Sequence, residues 1–179
     1  MRTFHEFVAH SVIEKPCAFT FGTFDGVHLG HQKLFHEVIS EAKKHNLLSA
    51  ILTFTNHPFS YLCPEKAPCL LTTAQEKHAL IEAAGFDISI ELPFDAKLAS
   101  LSADEFINRL STMLPIAYFI VGEDVVYGKD RTGKRSHLEK KALEYGFQAL
   151  FLSKVASNSQ PISSTRIRQL IAEKKFEEA

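Results

Sequence analysis

The chain has 179 residues, enough for one compact domain that buries roughly 70% of its unfolded surface. Apolar residues make up 45% and charged residues 23%, an ordinary globular balance. A net charge of −1 excludes a general pull toward nucleic acid or an anionic membrane, so any phosphate site must be local.

In chain order, the opening stretch 1–15 is broken by Glu6, His10 and Glu14. It has no signal-peptide core, and no apolar run is long enough for a membrane span. Three cysteines, Cys17, Cys63 and Cys69, without a secretion signal, read as reduced thiols of a cytoplasmic protein. Apolar runs at 17–24, 49–54, 87–92, 116–121 and 147–152 predict strands covered on both faces. Helix-period segments alternate with them. The first runs from about residue 30 to 44, with Leu34, Phe35, Val38, Ile39 and Ala42 as its buried stripe. A second opens at Thr73, with Glu76 completing a capping box, and stops at Gly85. A third opens at Ser102 with Glu105, and a fourth at Ser136 with Glu139, ending at Gly146. The last starts near Ser164 and buries Ile167, Leu170 and Ile171. This alternation predicts an α/β fold with a parallel sheet. Segments 56–68 and 122–135 read as long loops, which on such scaffolds lie near ligand crevices.

Two corners carry chemistry. FGTFDGVHLGHQKL at 21–34 is a strand end, a glycine-turned corner and a helix start. Gly22, Gly26 and Gly30 allow close backbone approach to a ligand, and the helix directs free N–H groups and its positive dipole end at the corner. His28 and His31 are three apart, so two imidazoles can donate hydrogen bonds to one developing anion. The second corner is ISSTRIR at 162–168. Ser163, Ser164 and Thr165 sit at a helix start, and Arg168 shares a face with Ser164. A guanidinium fork suits a polyphosphate. Each corner alone also fits an ordinary turn and cap. Together, at one sheet edge, they predict a grip on a triphosphate. His57, Cys63, Cys69 and His78 raise the thought of zinc, but their spacing fits no common ligand pattern.

The ordered series GTFDGVHLGH (22–31), TFTNHP (53–58), LTTAQEKHALIEAAGFD (71–87), LSADEF (101–106), VGEDVVYG (121–128) and ISSTRIR (162–168) spans nearly the whole chain. It resembles the FMN adenylyltransferase (FAD synthetase) module of prokaryotic bifunctional riboflavin kinase/FAD synthetases, in the H-x-G-H nucleotidylyltransferase superfamily. The resemblance implies a Rossmann-like, doubly wound α/β domain over 1–179, with a mainly parallel five- or six-stranded sheet flanked by helices. The riboflavin kinase domain that follows in the family is expected to be absent here. The implied reaction moves AMP from ATP to FMN, giving FAD and pyrophosphate by direct in-line attack. Mg²⁺ is expected mainly on the ATP phosphates, without a metal site of the protein's own. By motif match His28, His31 and Arg168 are catalytic, and Ser163, Ser164 and Thr165 hold phosphates. Gly22, Phe24, Asp25 and Gly30 shape the nucleotide pocket. Asn56, His57 and Pro58 border the flavin, joined by Leu98, Phe106, Asp124 and Tyr127. ATP and FMN are the only partners implied, with neither nucleic acid nor membrane.

Two departures fall on the flavin side. The family commonly has proline where Asn56 stands, and a phenylalanine–basic–phenylalanine run where Val125, Val126 and Tyr127 stand. Two alternatives remain open at this point. One is nucleotidyl transfer to another phosphorylated acceptor; the other is a non-catalytic nucleotide- or flavin-binding module.

Overall fold

A computed structural model describes residues 1–7, 13–157 and 160–178. Residues 8–12 of the opening stretch, with His10 among them, lie outside the described residues, as do 158, 159 and Ala179.

Six strands form one sheet: β1 (Arg2–Phe4), β2 (Cys17–Phe21), β3 (Leu48–Phe54), β4 (Ile88–Leu92), β5 (Ile116–Gly122) and β6 (Gln148–Leu152). Their order is β1-β4-β3-β2-β5-β6, and every pairing is parallel. Parallel neighbours need crossovers, which helices supply. α1 (Leu29–Lys44) joins β2 to β3, and α3 (Ala74–Ala84) joins β3 to β4. α5 (Ala103–Met113) joins β4 to β5, and α6 (Arg135–Tyr145) joins β5 to β6. Short helices α2 (Pro58–Leu62) and α4 (Ala96–Ala99) lie in the loops before α3 and α5. After β6 comes an antiparallel pair, β7 (Ala156–Ser157) with β8 (Gln160–Pro161), and then α7 (Ser164–Ala172). This is a Rossmann-like α/β domain. The winding runs outward from β2 to β4, then returns past β2 to β5 and β6. That reversal opens a crevice at the carboxyl ends of β2 and β5, where open α/β sheets take ligands.

Alternation along each strand sends neighbours to opposite faces. Phe19, Leu52, Phe119 and Val121 pack with Phe106, Ile107, Leu110 and Leu138 of α5 and α6. Ala18, Ile51 and Ile120 pack with Phe35, Val38 and Ala42 of α1 and Ile81 of α3. Cover on both faces explains the continuous apolar runs in the sequence. Each large apolar side chain so buried contributes about 2 kcal/mol.

The capping boxes at Thr73/Glu76 and Ser102/Glu105 both form, and Gly85 and Gly146 close their helices in left-handed conformation. The fourth long helix departs from expectation. It starts at Arg135 with Lys134 as an N-cap lacking a side-chain bond, so Ser136 lies inside the first turn. Glu139 instead pairs with Arg135 at 2.8 Å, one helical turn away. On α7, Leu170 is buried but Ile171 is exposed, against expectation, because the helix packs along a narrower stripe. β1, the sheet edge beside β4, was not legible because three residues carry no measurable period. The 56–68 loop contains α2 and a 3₁₀ turn at Pro64–Lys66. Among the described residues no helix is long and apolar enough to cross a membrane.

Candidate active site

β2 ends at Phe21, and the chain turns through 22–28 into α1. Phe24 (φ 50°), Gly26 (81°) and Val27 (37°) are all left-handed. That region is costly for residues with a side chain, β-branched valine above all, so the surroundings must hold the turn. Asp25 is the holder. Its buried carboxylate accepts the N–H groups of Leu71 (3.0 Å) and Thr72 (3.1 Å) and pairs with Arg168. The Gly26 N–H donates to Thr72 Oγ1 at 3.1 Å. Buried Lys77 of α3 donates to the carbonyls of Thr23 (3.0 Å) and Phe54 (2.6 Å), bracing the same turn. Lys77 was missed in the sequence; its signal is a lysine one helical turn before Ile81, on the buried face of α3. A Cβ at Gly22 would stand 2.8 Å from the Phe24 ring, and at Gly26 2.8 Å from Leu71, so both glycines also serve the turn's own packing.

His28 is the N-cap of α1 and not part of its first turn. Its Nδ1 accepts the His31 N–H at 3.4 Å, which leaves the neutral ring's proton on Nε2. The two imidazoles still meet: their rings stack with centroids 3.7 Å apart and planes 16° from parallel. Gly30 makes room, since a Cβ there would lie 3.1 Å from the His28 ring. Burial pushes both imidazoles toward neutrality. For His31 the pKa falls to about 3, through burial first and then the neighbouring His28 and Lys77.

The second corner locks onto the first. Ser163 caps α7, accepting the Arg166 N–H at 3.3 Å. Ser164 Oγ donates to the Asp25 carbonyl at 2.9 Å. Arg168 Nε donates to the Cys69 carbonyl at 2.6 Å, while its guanidinium pairs with the Asp25 carboxylate. Asp25 therefore ties together the first corner, the 69–72 segment and α7. Arg168 keeps the rest of its five donors.

One cleft of about 550 Å³ takes in both corners. Gly22, Phe24, Asp25, His28, Gly30 and His31 line one part of it, and Ser163, Ser164, Thr165 and Arg168 another. Val121, Gly122 and Leu152, at the carboxyl ends of β5 and β6, also line it, which places it at the crevice the topology opens. Lys33 and Lys154 add positive charge, and Lys154 pairs with Asp124 at 2.9 Å. Two of the three lining cations are offset within the site, Arg168 by Asp25 and Lys154 by Asp124.

The residues expected at the flavin divide. His57 and Asp124 line this cleft; Asn56, Pro58, Leu98, Phe106 and Tyr127 do not. The Asn56 amide donates to the Phe94 carbonyl at 3.1 Å and accepts the Phe94 N–H at 2.7 Å, anchoring the loop. Pro58 occupies the first turn of α2, and Leu98 of α4 packs against the core. Phe106 and Tyr127 are buried, edge-on to Phe21 at 5.2 and 5.7 Å. The Tyr127 hydroxyl meets His137 Nδ1 at 2.7 Å. The residues considered for zinc are engaged separately. His78 pairs with Glu91 at 2.6 Å, Cys63 Sγ with Glu65 at 2.7 Å, and His57 caps α2. Among the described residues no three His, Cys, Asp or Glu side chains gather as metal ligands.

Comparison with known proteins adds an independent line. The sequence model of the family described as FAD synthetase matches residues 10–166. The chain is 38% identical over 167 residues to a bifunctional riboflavin kinase/FMN adenylyltransferase of Buchnera aphidicola subsp. Schizaphis graminum (strain Sg), covering 92% of this chain and 54% of that protein. It is 33% identical over 168 residues to the protein of the same description from Escherichia coli (strain K12), again covering 92% and 54%. A solved structure described as a macrolide-efflux protein from Streptococcus pneumoniae matches with a TM-score of 0.82 at 25% identity, over 100% of this chain and 60% of that one. The chain spans about half the length of the curated relatives it matches.

Proposed function

The chain belongs to the FAD synthetase family, whose model covers residues 10–166, and from that premise we propose that it transfers AMP from ATP to FMN, forming FAD and pyrophosphate. The observation that carries the reading is the meeting of both anion-binding corners in one cleft at the switch point of the sheet. The curated relatives, named as riboflavin kinase/FMN adenylyltransferases, support the same acceptor.

In this reading a phosphate oxygen of FMN attacks the α-phosphorus of ATP in line. The new P–O bond forms as the bond from the α-phosphorus to the bridging oxygen breaks, and pyrophosphate leaves with the electron pair. Such transfers depend on position and charge stabilisation more than on a protein nucleophile. His28 and His31, held neutral by burial, each offer an N–H to the phosphates. Ser163, Ser164, Thr165 and Arg168 hold the tail from the other corner. Asp25 acts through its neighbours: with both carboxylate oxygens taken by Leu71, Thr72 and Arg168, it fixes the two corners relative to each other.

Mg²⁺ fits this site as a companion of the nucleotide, since it commonly keeps water and substrate oxygens as ligands. Asp124, exposed and lining the cleft, where it pairs with Lys154, is the carboxylate that would help hold it, and the ion would offset phosphate charge. The reading places the protein in the cytoplasm, in keeping with its free cysteines Cys17, Cys63 and Cys69.

The test is to incubate purified protein with FMN, ATP and Mg²⁺ and detect FAD by chromatography. FAD formation is expected. Folded protein that makes none across a range of FMN concentrations would overturn the proposal, and pyrophosphate release with a different phosphorylated acceptor would reassign the substrate.

A further inference from the structure

His57 stands where two parts of the molecule meet. It lines the same cleft as His28, His31 and Arg168, yet it opens the segment that carries the outward-facing Phe59, Tyr61 and Leu62. Its ring is held by a device already seen at His28. Nδ1 accepts the Phe59 N–H at 3.1 Å as the cap of α2, so the neutral ring's proton is on Nε2. The two capping histidines follow neighbouring parallel strands, His28 after β2 and His57 after β3. Both rings therefore sit at the same sheet edge with the proximal nitrogen engaged and the distal N–H left as donor. His57 shares the cleft with Asp25 and Arg168, the two charged groups of the ion pair that joins the corners. Burial and the Arg168 charge push its pKa down, so it remains a neutral donor at neutral pH.

We infer that His57 contacts the phosphate of the incoming FMN, donating from Nε2 to orient the attacking oxygen toward the α-phosphorus, and does not pack against the flavin ring. The inference rests on the adenylyl-transfer reading. It separates His57 from its neighbours Asn56 and Pro58, which do not line the cleft. It also gives the two capping histidines complementary tasks, His28 on the ATP tail and His57 on the acceptor.

Two substitutions divide the ring's functions. His57→Asn keeps a side-chain acceptor for the cap and removes the distal donor. His57→Gln places an N–H near the Nε2 position and weakens the cap. Because α2 has no buried residue, either change is expected to leave the fold intact. Loss of one hydrogen bond to a charged group predicts that H57N lowers kcat/KM for FMN by about 10–100-fold, with KM for ATP within about threefold and H57Q retaining most activity. Flavin fluorescence adds a readout independent of turnover. Wild-type protein should bind FMN more tightly than riboflavin, and H57N should lose most of that preference. An active H57N with an impaired H57Q would make His57 only a helix cap. A rise confined to the KM for ATP would assign it to the nucleotide tail. Should wild-type protein make no FAD, the proposed function fails, while the FMN-against-riboflavin comparison still decides whether His57 meets a phosphate.

Discussion

The two sides of the cleft are built differently. At the two corners, Asp25, Thr72, Ser164 and Arg168 join three segments, the first corner, the 69–72 segment and α7, through bonds that involve the buried Asp25 carboxylate and its own carbonyl. On the side expected to meet the flavin, Asn56 secures its loop to Phe94, while Phe59, Tyr61 and Leu62 of α2 are exposed. A left-handed turn such as 24–27 persists only where its surroundings over-determine it, and Asp25 and Lys77 supply those surroundings. Among the described residues, the segment around α2 is held by no buried carboxylate of this kind. In the proposed reaction, preorganisation would therefore be concentrated where charge develops, with the acceptor side left adjustable.

That contrast can be broken by substitution. The largest effect is expected from His31→Ala, which in the proposed reaction removes a donor to the phosphates. FAD formation should fall by about 10²-fold or more, followed by chromatography, with circular dichroism unchanged. Asp25→Asn should act through structure. Weakening the pair with Arg168 and turning an NH₂ toward the Leu71 and Thr72 N–H groups should cost about 3 kcal/mol in urea unfolding. Next comes pH. The folded pKa of His31, about 3, lies below the ordinary value near 6.5, so below that value the unfolded chain binds the proton first. The stability linked to His31 is full above pH 6.5 and is lost as pH falls toward 3, at about 1.4 kcal/mol per unit at most. Urea midpoints measured from pH 7.5 to 4.5 should fall less steeply in His31→Gln than in wild type. The smallest effect belongs to Tyr127→Phe. Losing the hydroxyl bond to His137 should cost about 1 kcal/mol and leave KM for FMN within about twofold. A large rise in that KM would instead place Tyr127 at the flavin.

Much of this was legible in the sequence because it is local. Alternating apolar runs with cover on both faces specified the sheet, and Thr73/Glu76 and Ser102/Glu105 announced their helices through chemistry spanning three residues. Ser136/Glu139 carried the same spacing without forming the cap, since the chain had already entered the helix at Arg135. The two corners were readable separately. What held them together was not, because the Asp25–Arg168 pair spans 143 residues and no periodicity reports a contact at that separation. Lys77 was hidden for a related reason: a lysine on a helix reads as solvated until tertiary packing places it beneath Thr23. Phe106 and Tyr127 show another limit: a motif names them, but their packing edge-on to Phe21 is a tertiary contact that no motif reports.

The central claim is that both corners hold one nucleotide tail, and binding of ATP against AMP tests it most directly. Calorimetry on the wild-type chain should give ATP an affinity at least about tenfold above AMP, with His28→Ala at one corner and Thr165→Ala at the other each eroding that preference while AMP binding stays the same. Equal affinities for ATP and AMP in the wild type, or loss of both ligands in parallel when either corner is changed, would contradict the account.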